Sequence, residues 1–445
     1  LVPTPARRSL QVSNNDIFSN SGGFSGGVRV GRPALELADP QTLLGEDTYE
    51  FNDNLVIAHN VVRQNGALAG SGGGISISTG TDNYSISENY ICGNFTLGDG
   101  AGIGHLGLSD KGKIDNNTIV LNQSFDQAAP RHGGGIFIGG EPSGAGVLTI
   151  GAGSVNIEDN LIQGNQAGAG HGGGIRAQFV NGQDVVEAKN PGGLFRIDII
   201  NNMIVNNVAG HSGGGVSLAD TVAATLLNNT VAHNDSTATV GSLIQIGVGT
   251  NTSTPQPAGI STQVHSAELD AAVDGKNGNQ WNNYRDYSNP AITNTIVWQN
   301  RSFSYLSVGT STGLTPEVNG PGCAGANFWD LGVLSGGHTL DRVEGSILTT
   351  TPGADPDFVN SYCNGSRQDG TGPIAAFPAV DEGGATWIDV RFGPLVPQGD
   401  YHVAGASTAI DGANDSAPAS DIDGDARPQG AFDDIGADEY VAPVL

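Results

Sequence analysis

The stretch Asn60-Val61-Val62-Arg63-Gln64-Asn65, followed by Gly72-Gly73-Gly74-Ile75-Ser76-Ile77, decides the fold because the chain keeps returning to it. The first phrase, Asn-x-Ile/Val-x-x-Asn, recurs at 15–20, 89–94, 117–122, 160–165, 202–207 and 229–234, with a version one residue longer at 294–300. The second, a glycine triplet and a short apolar alternation, returns at 133–136, 172–175 and 213–216, and in looser form at 26–28 and 100–103. Successive asparagine phrases begin 29, 28 and 27 residues apart at 60–89, 89–117 and 202–229, but 43 and 42 apart at 117–160 and 160–202. A unit of about 28 residues therefore either carries an insertion of about 15 or does not, and fixed-period repetition is the mark of a solenoid.

Strands of three to five residues between glycine and asparagine turns cannot bury a core alone. Stacked coil upon coil they can, with Ile and Val forming inward columns. Asparagine suits the corners because it tolerates left-handed backbone and its amide can bond the same turn above and below. Glycine before the second strand permits positive φ or close backbone approach. The expected fold is all-β, a right-handed parallel β-helix, the hand following the usual crossover rule. Residues 1–300 are read as coils with insertions. Residues 301–445 are read as final coils, a loop-rich segment and a C-terminal cap, continuous with the solenoid.

Composition agrees. Glycine fills 69 of 445 positions, twice its ordinary share. The net charge of −27 and only four lysines exclude a nucleic-acid binder, which needs a basic face. No apolar run approaches the ~20 residues of a spanning helix. Residues 1–10 lack a signal peptide's apolar core and the repeat has begun by Val12, so the chain reads as a processed or truncated piece. Three cysteines are too few for a disulfide scaffold. Cys323 and Cys363 could form one bridge, leaving Cys92 as a small buried hydrophobe. No heme-attachment motif and no organic-cofactor motif is present.

The coil phrases resemble the right-handed parallel β-helix, or pectin-lyase-like, superfamily. The tail Ser407-Thr408-Ala409-Ile410-Asp411-Gly412-Ala413-Asn414, Asp421-Ile422-Asp423-Gly424-Asp425-Ala426-Arg427-Pro428 and Asp434-Ile435-Gly436-Ala437-Asp438-Glu439 is similar to the C-terminal module of secreted bacterial proteins called choice-of-anchor proteins. That resemblance implies an extracellular or cell-surface location and leaves the reaction open, since the superfold hosts lyases, hydrolases, epimerases and adhesins.

Function is expected where insertions gather. The stretches 31–50, 139–153 and 178–195 all leave after a glycine-triplet strand, so they should line one flank of the solenoid. The largest connection, 236–290, carries Trp281, Tyr284 and Tyr287, which can stack on sugar rings or plug the loop onto the coils. Asp99, His132, His171 and His211 form a column beside the triplets that could hold a divalent transition ion, or serve as a polar ladder. Asp421, Asp423, Asp425 and Asp433 could wrap calcium, or make Asx turns with an ion pair to Arg427. Two functions remain open. One is a structural or adhesive surface protein with a loop-lined face for carbohydrate or a surface partner. The other is a polysaccharide lyase, epimerase or glycosidase, with Arg131, His132, His171 and Arg176 as its available acid–base groups.

Overall fold

The computed structural model describes residues 9–31, 52–68, 70–124, 130–142, 144, 146–308, 311–316, 323, 325–364, 371–372, 389–390, 399–414 and 417–442. Each full coil contributes four short strands. In the second coil these are Val56–Ala58, Val61–Arg63, Gly66–Ala67 and Ile75–Ser78. Corresponding strands of successive coils pair in parallel and in register. They build four long sheets, here A to D in chain order, of nine, nine, eight and eight strands. The last coil strands are Val343–Glu344 and Ile347–Leu348, so coils continue past residue 300.

The central residue of each sheet-B strand points inward. Ile17, Val62, Ile91, Ile119, Ile162, Ile204, Val231, Val297 and Leu348 follow one another in register as a single apolar column. Sheet D contributes two columns, because both Ile136 and Ile138 of its strand Ile136–Gly139 are fully buried. His105 occupies a place in the second of these columns, between Ile77 and Ile138, and is also fully buried. Its Nδ1 meets Tyr84 Oη at 2.9 Å, and its Nε2 lies 2.8 Å from Gly107 O and 3.1 Å from Ala152 O. With two carbonyls facing Nε2, that nitrogen carries the proton. Burial pushes the imidazole down to about 4.

The repeated asparagines form two ladders. Asn15, Asn60, Asn89, Asn117, Asn160, Asn202 and Asn229 make one, each amide donating to the next Oδ1 at 2.9–3.1 Å. Asn20, Asn65, Asn94, Asn122, Asn165, Asn207, Asn234 and Asn300 make the second. The same Oδ1 also accepts the backbone N–H of the preceding rung, as Asn122 does from Asn94 N at 3.0 Å. The left-handed residue is the one before each ladder asparagine, not the asparagine itself. His59, Gln64, Glu88, Leu121 and His233 all have φ of 54–58°. This explains the longer phrase at 294–300: Asn294 is the left-handed residue (φ 48°), and Thr295 takes the ladder place, its Oγ1 accepting Asn229 N at 3.3 Å. In the triplets the first glycine supplies positive φ, 71° at Gly172. The third permits close stacking, since a Cβ on Gly174 would lie 2.7 Å from Gly215 O.

Insertions leave at two corners rather than one. Residues 140–154, 179–195 and 264–290 occupy the turn from sheet D to sheet A. The expected insertion at 31–50 lies, apart from Gly31, outside the described residues. The 236–290 connection is interrupted by the sheet-D strand Ile260–Gln263. Its first half belongs to the turn from sheet C to sheet D. There Ile244–Ile246 and Thr250–Ser253 join Ser304–Val308 and Ser311–Thr315 in a small antiparallel sheet.

The described residues of the C-terminal region lie along the side of the stack. The outward positions of sheet B change character along the axis, from Phe18, Val61 and Tyr90, which are exposed, to Met203, Val205 and Ala232, which are buried. Tyr401 and Ala437 pack on Met203, Val205 and Ala232, while Val403, Ala409 and Ile435 cover Ile296 and Ile347. Cys323 and Cys363 form a disulfide with Cα atoms 5.5 Å apart, tying the 303–330 insertion to this region. Cys92 is free and half-buried. It is not the core hydrophobe expected, because Ile91 takes the inward place and turns Cys92 to the outer face.

Candidate functional site

The outer side of sheet D carries a polar constellation. Glycine triplets end one residue before each strand, so the second residue of every strand points outward at a fixed place: Phe137, Arg176, Ser217 and Ser261 align in register. Two residues on, Gln178 and Ala219 align, with Gln263 on the next strand. Arg176 is only 3% exposed. Its guanidinium donates to Ser217 Oγ at 2.7 Å, to Gln178 Oε1 at 3.2 Å through two nitrogens, and to Gln263 Oε1 at 3.4 Å. Every one of these acceptors is neutral. Asp99 and Asp220 act on it only through space, and burial lowers its pKa to about 10.

The histidine column borders this face. His132 and His171 stack with ring centres 5.3 Å apart, and His171 and His211 with centres 4.0 Å apart. The column is a ladder of side chains that accept backbone N–H groups. Ser71 Oγ accepts Asp99 N at 3.0 Å, Asp99 Oδ1 accepts His132 N at 2.7 Å, and His132 Nδ1 accepts His171 N at 3.0 Å. Ser212, not His211, continues it, with its Oγ 2.7 Å from His171 Nδ1. The lone pair of His132 that a metal would need is thus already engaged, and the expected transition-metal set Asp99, His132, His171 and His211 does not converge. Burial holds the imidazoles of His132 and His171 well below their ordinary range and that of His211 at about 4, with Arg176 reinforcing the shift, so the stack is neutral. His211 Nδ1 is buried without a hydrogen-bond partner. Of the expected acid–base groups, the structure brings His132, His171 and Arg176 together, with Arg131 half-buried next to His132 on the same coil.

At the D-to-A corner, where the chain leaves the strands ending in Gln178 and Gln263, the inserted loops border an open cavity of about 270 Å³. Its walls include Val147, Thr149, Phe179, Asn181, Asp220 and Glu268. Gly146 N donates to Glu268 Oε1 at 3.0 Å, which joins the 140–154 loop to the helix Ala267–Asp274. Asn181 fixes the floor, its Nδ2 donating to Asp184 Oδ2 and its Oδ1 accepting Val222 N, each at 2.7 Å. The aromatic residues expected to bind sugar do not line the cavity. Trp281 is 1% exposed and packs with Val185, Leu269 and Val273 in a satellite core, with Tyr284 against it. Tyr287 stacks on His338 at 4.6 Å, and its hydroxyl donates to Thr339 O. Ring faces spent on the protein interior cannot meet a ligand, so these three anchor the loop.

The expected calcium ligands are dispersed as well. Asp421 is buried, its Oδ1 accepting Asp423 N and Asp425 N at 3.0 and 2.8 Å and its Oδ2 accepting Glu439 N at 3.0 Å. This is an Asx turn locked from both sides. Asp425 faces solvent, and Asp433 is only half-buried. Asp423 instead turns to His402, its Oδ2 lying 2.8 Å from His402 Nε2. The expected partner of the acidic turn, Arg427, reaches Glu439 Oε2 at 3.3 Å and the carbonyls of Asp434 and Gly436. His402 had no signal in the sequence, whereas Gln178, Ser217 and Gln263 could have been found by extending the register from Arg176.

Comparison with protein-family models, with curated proteins and with solved structures finds no match.

Proposed function

We propose that this is an extracellular β-solenoid that binds a polysaccharide chain on the outer face of sheet D without cleaving it. The observation that carries this reading is the pair Gln178 and Gln263, both held by the buried Arg176, at the strand ends that lead into the loops around the cavity. Arg176 is buried and acts by orienting Gln178 and Gln263, which are half-buried at the edge of the face and whose amides suit sugar hydroxyls. The net charge of −27 disfavours a densely anionic polymer. The ligand is therefore a hydroxyl-rich, largely neutral chain. The Cys323–Cys363 disulfide supports an oxidising compartment, and the tail's resemblance to anchor-associated modules supports display at a bacterial surface. Among the described residues no helix is long and apolar enough to cross a membrane.

A second reading, polysaccharide lyase, has one observation in its favour: an arginine held near 10 beside neutral imidazoles is better placed to exchange protons than an ordinary one. The bonds of His132 and His171 weigh against it, because their rings are fixed as ladder rungs. Affinity electrophoresis against a polysaccharide panel, with product analysis of the same mixtures, separates the two. Retardation without chain shortening or unsaturated ends is expected. Product formation would establish the enzyme.

A further inference from the structure

The C-terminal region brings one histidine and two aspartates from three separate segments to one point. His402 lies on the strand Asp400–Val403, Asp423 on the turn after Asp421, and Asp438 on the closing segment. One ligand atom from each lies within 4.8 Å of the others. Asp438 is buried, and its Oδ2 accepts Val403 N at 2.6 Å, which fixes the carboxylate. Behind the imidazole, Asp400 Oδ1 lies 2.5 Å from His402 Nδ1. Asp421 in turn fixes Asp423 by accepting its backbone N–H. Three carboxylates therefore face a single imidazole, and the nearby Arg427 is committed to Glu439 and two carbonyls.

We propose that His402 Nε2, Asp423 and Asp438 bind a divalent transition ion of the Zn²⁺ type, with Asp400 as the orienting partner behind the histidine. A carboxylate on the far ring nitrogen fixes the tautomer that leaves Nε2 free for metal, the usual support of a ligating histidine. Imidazole nitrogen with two carboxylate oxygens matches Zn²⁺ or Co²⁺ with one position left for water, whereas Ca²⁺ prefers oxygen alone and would leave the histidine out. The ion takes the place between His402 and Asp423 that a shared proton otherwise fills. It clasps three segments of the region that covers sheet B.

The test is Co²⁺ titration of the untagged, chelator-stripped full chain, followed by its visible absorption, Zn²⁺ displacement and thermal melting. One Co²⁺ per chain, displaced by Zn²⁺, and a melting temperature raised by either metal are expected. His402→Gln and Asp423→Asn, at exposed or half-exposed positions, should weaken binding by about 100-fold or more. Asp400→Asn should weaken it by roughly 10- to 100-fold, the range for outer-shell partners. His211→Asn, in the distant column, should bind as the wild type does. The proposal is overturned if no stoichiometric Co²⁺ binds, if His402→Gln binds equally well, or if Ca²⁺ displaces Co²⁺ as effectively as Zn²⁺.

Discussion

The coil body and the C-terminal region are held together in opposite ways. In the body each contact is one rung of many: an Ile column, an Asn ladder, a glycine triplet. In the C-terminal region each contact occurs once, as with Tyr401 on Asn206 Oδ1 or Arg427 between Glu439 and the carbonyl of Gly436. A one-dimensional stack spreads damage over neighbouring rungs, whereas a side-docked region depends on a few anchors. The outer row of sheet B displays the boundary. Its early residues Phe18 and Tyr90 are 50% and 43% exposed, while Met203 and Val205 are covered.

The largest effect should come where the two regions meet. Arg301 and Asp235 are adjacent rungs of sheet C, paired at 2.6 Å with both side chains buried, and Asn364 Nδ2 reaches the same carboxylate at 3.4 Å. Asp235→Ala would take the paired carboxylate from a buried guanidinium and should cost about 3–5 kcal/mol by denaturant melt. It should also open the 358–364 segment to hydrogen exchange. A loss below about 1 kcal/mol would erase the distinction drawn between anchors and rungs.

Acid should act next, and on the body. His105 titrates near 4 when folded and near 6.5 when unfolded, so the unfolded chain takes up the proton first as pH falls. Stability is fully present above about 6.5 and is lost through the window down to about 4, by about 3 kcal/mol for this one group. Asp159 and Asp438, raised to about 6 by burial, run the other way and offset part of the loss between 6 and 4. His105→Gln should flatten the melting profile over that window relative to the wild type. An unchanged slope would show that the buried imidazole is not the acid-sensitive group.

Within the body, position along the stack should set the cost. Asn122 is fully buried, and its removal takes the acceptor from Asn94 N and one of the two acceptors from Asn94 Nδ2, which keeps Val62 O. Asn122→Ala should lose about 1–3 kcal/mol. Asn20, an exposed rung on the first coil, should lose no more than about 0.5 kcal/mol as Asn20→Ala. Equal losses would mean that the ladder contributes through each asparagine's own turn rather than through the next coil.

The body was legible because stacking forces the same residue type back at the same place, so the period exposes both columns and ladders. Two details escaped for physical reasons. The left-handed corner sits one residue before the asparagine, where His59, Glu88 and Leu121 share a backbone but no chemistry. His105 stands in an apolar column and is tolerated because Tyr84 and two carbonyls satisfy it. At the candidate site Arg176, His132 and His171 could be named from the repeat. Trp281 could not be separated from a surface aromatic, since the helices that bury it lie in insertions outside the period. His402 was invisible because the fold of a non-repeating tail, not any spacing, brings it to Asp423.

Most direct is a comparison of polysaccharide retardation for the wild type, Arg176→Gln and Val147→Arg. The last places a bulky cation at an exposed wall of the cavity, where folding should be unaffected. The binding-face reading predicts that at least one polymer retards the wild type, that both variants lose at least about tenfold in affinity, and that no product appears. Undiminished retardation of both variants would place the ligand elsewhere, and chain cleavage by the wild type would contradict a binding role.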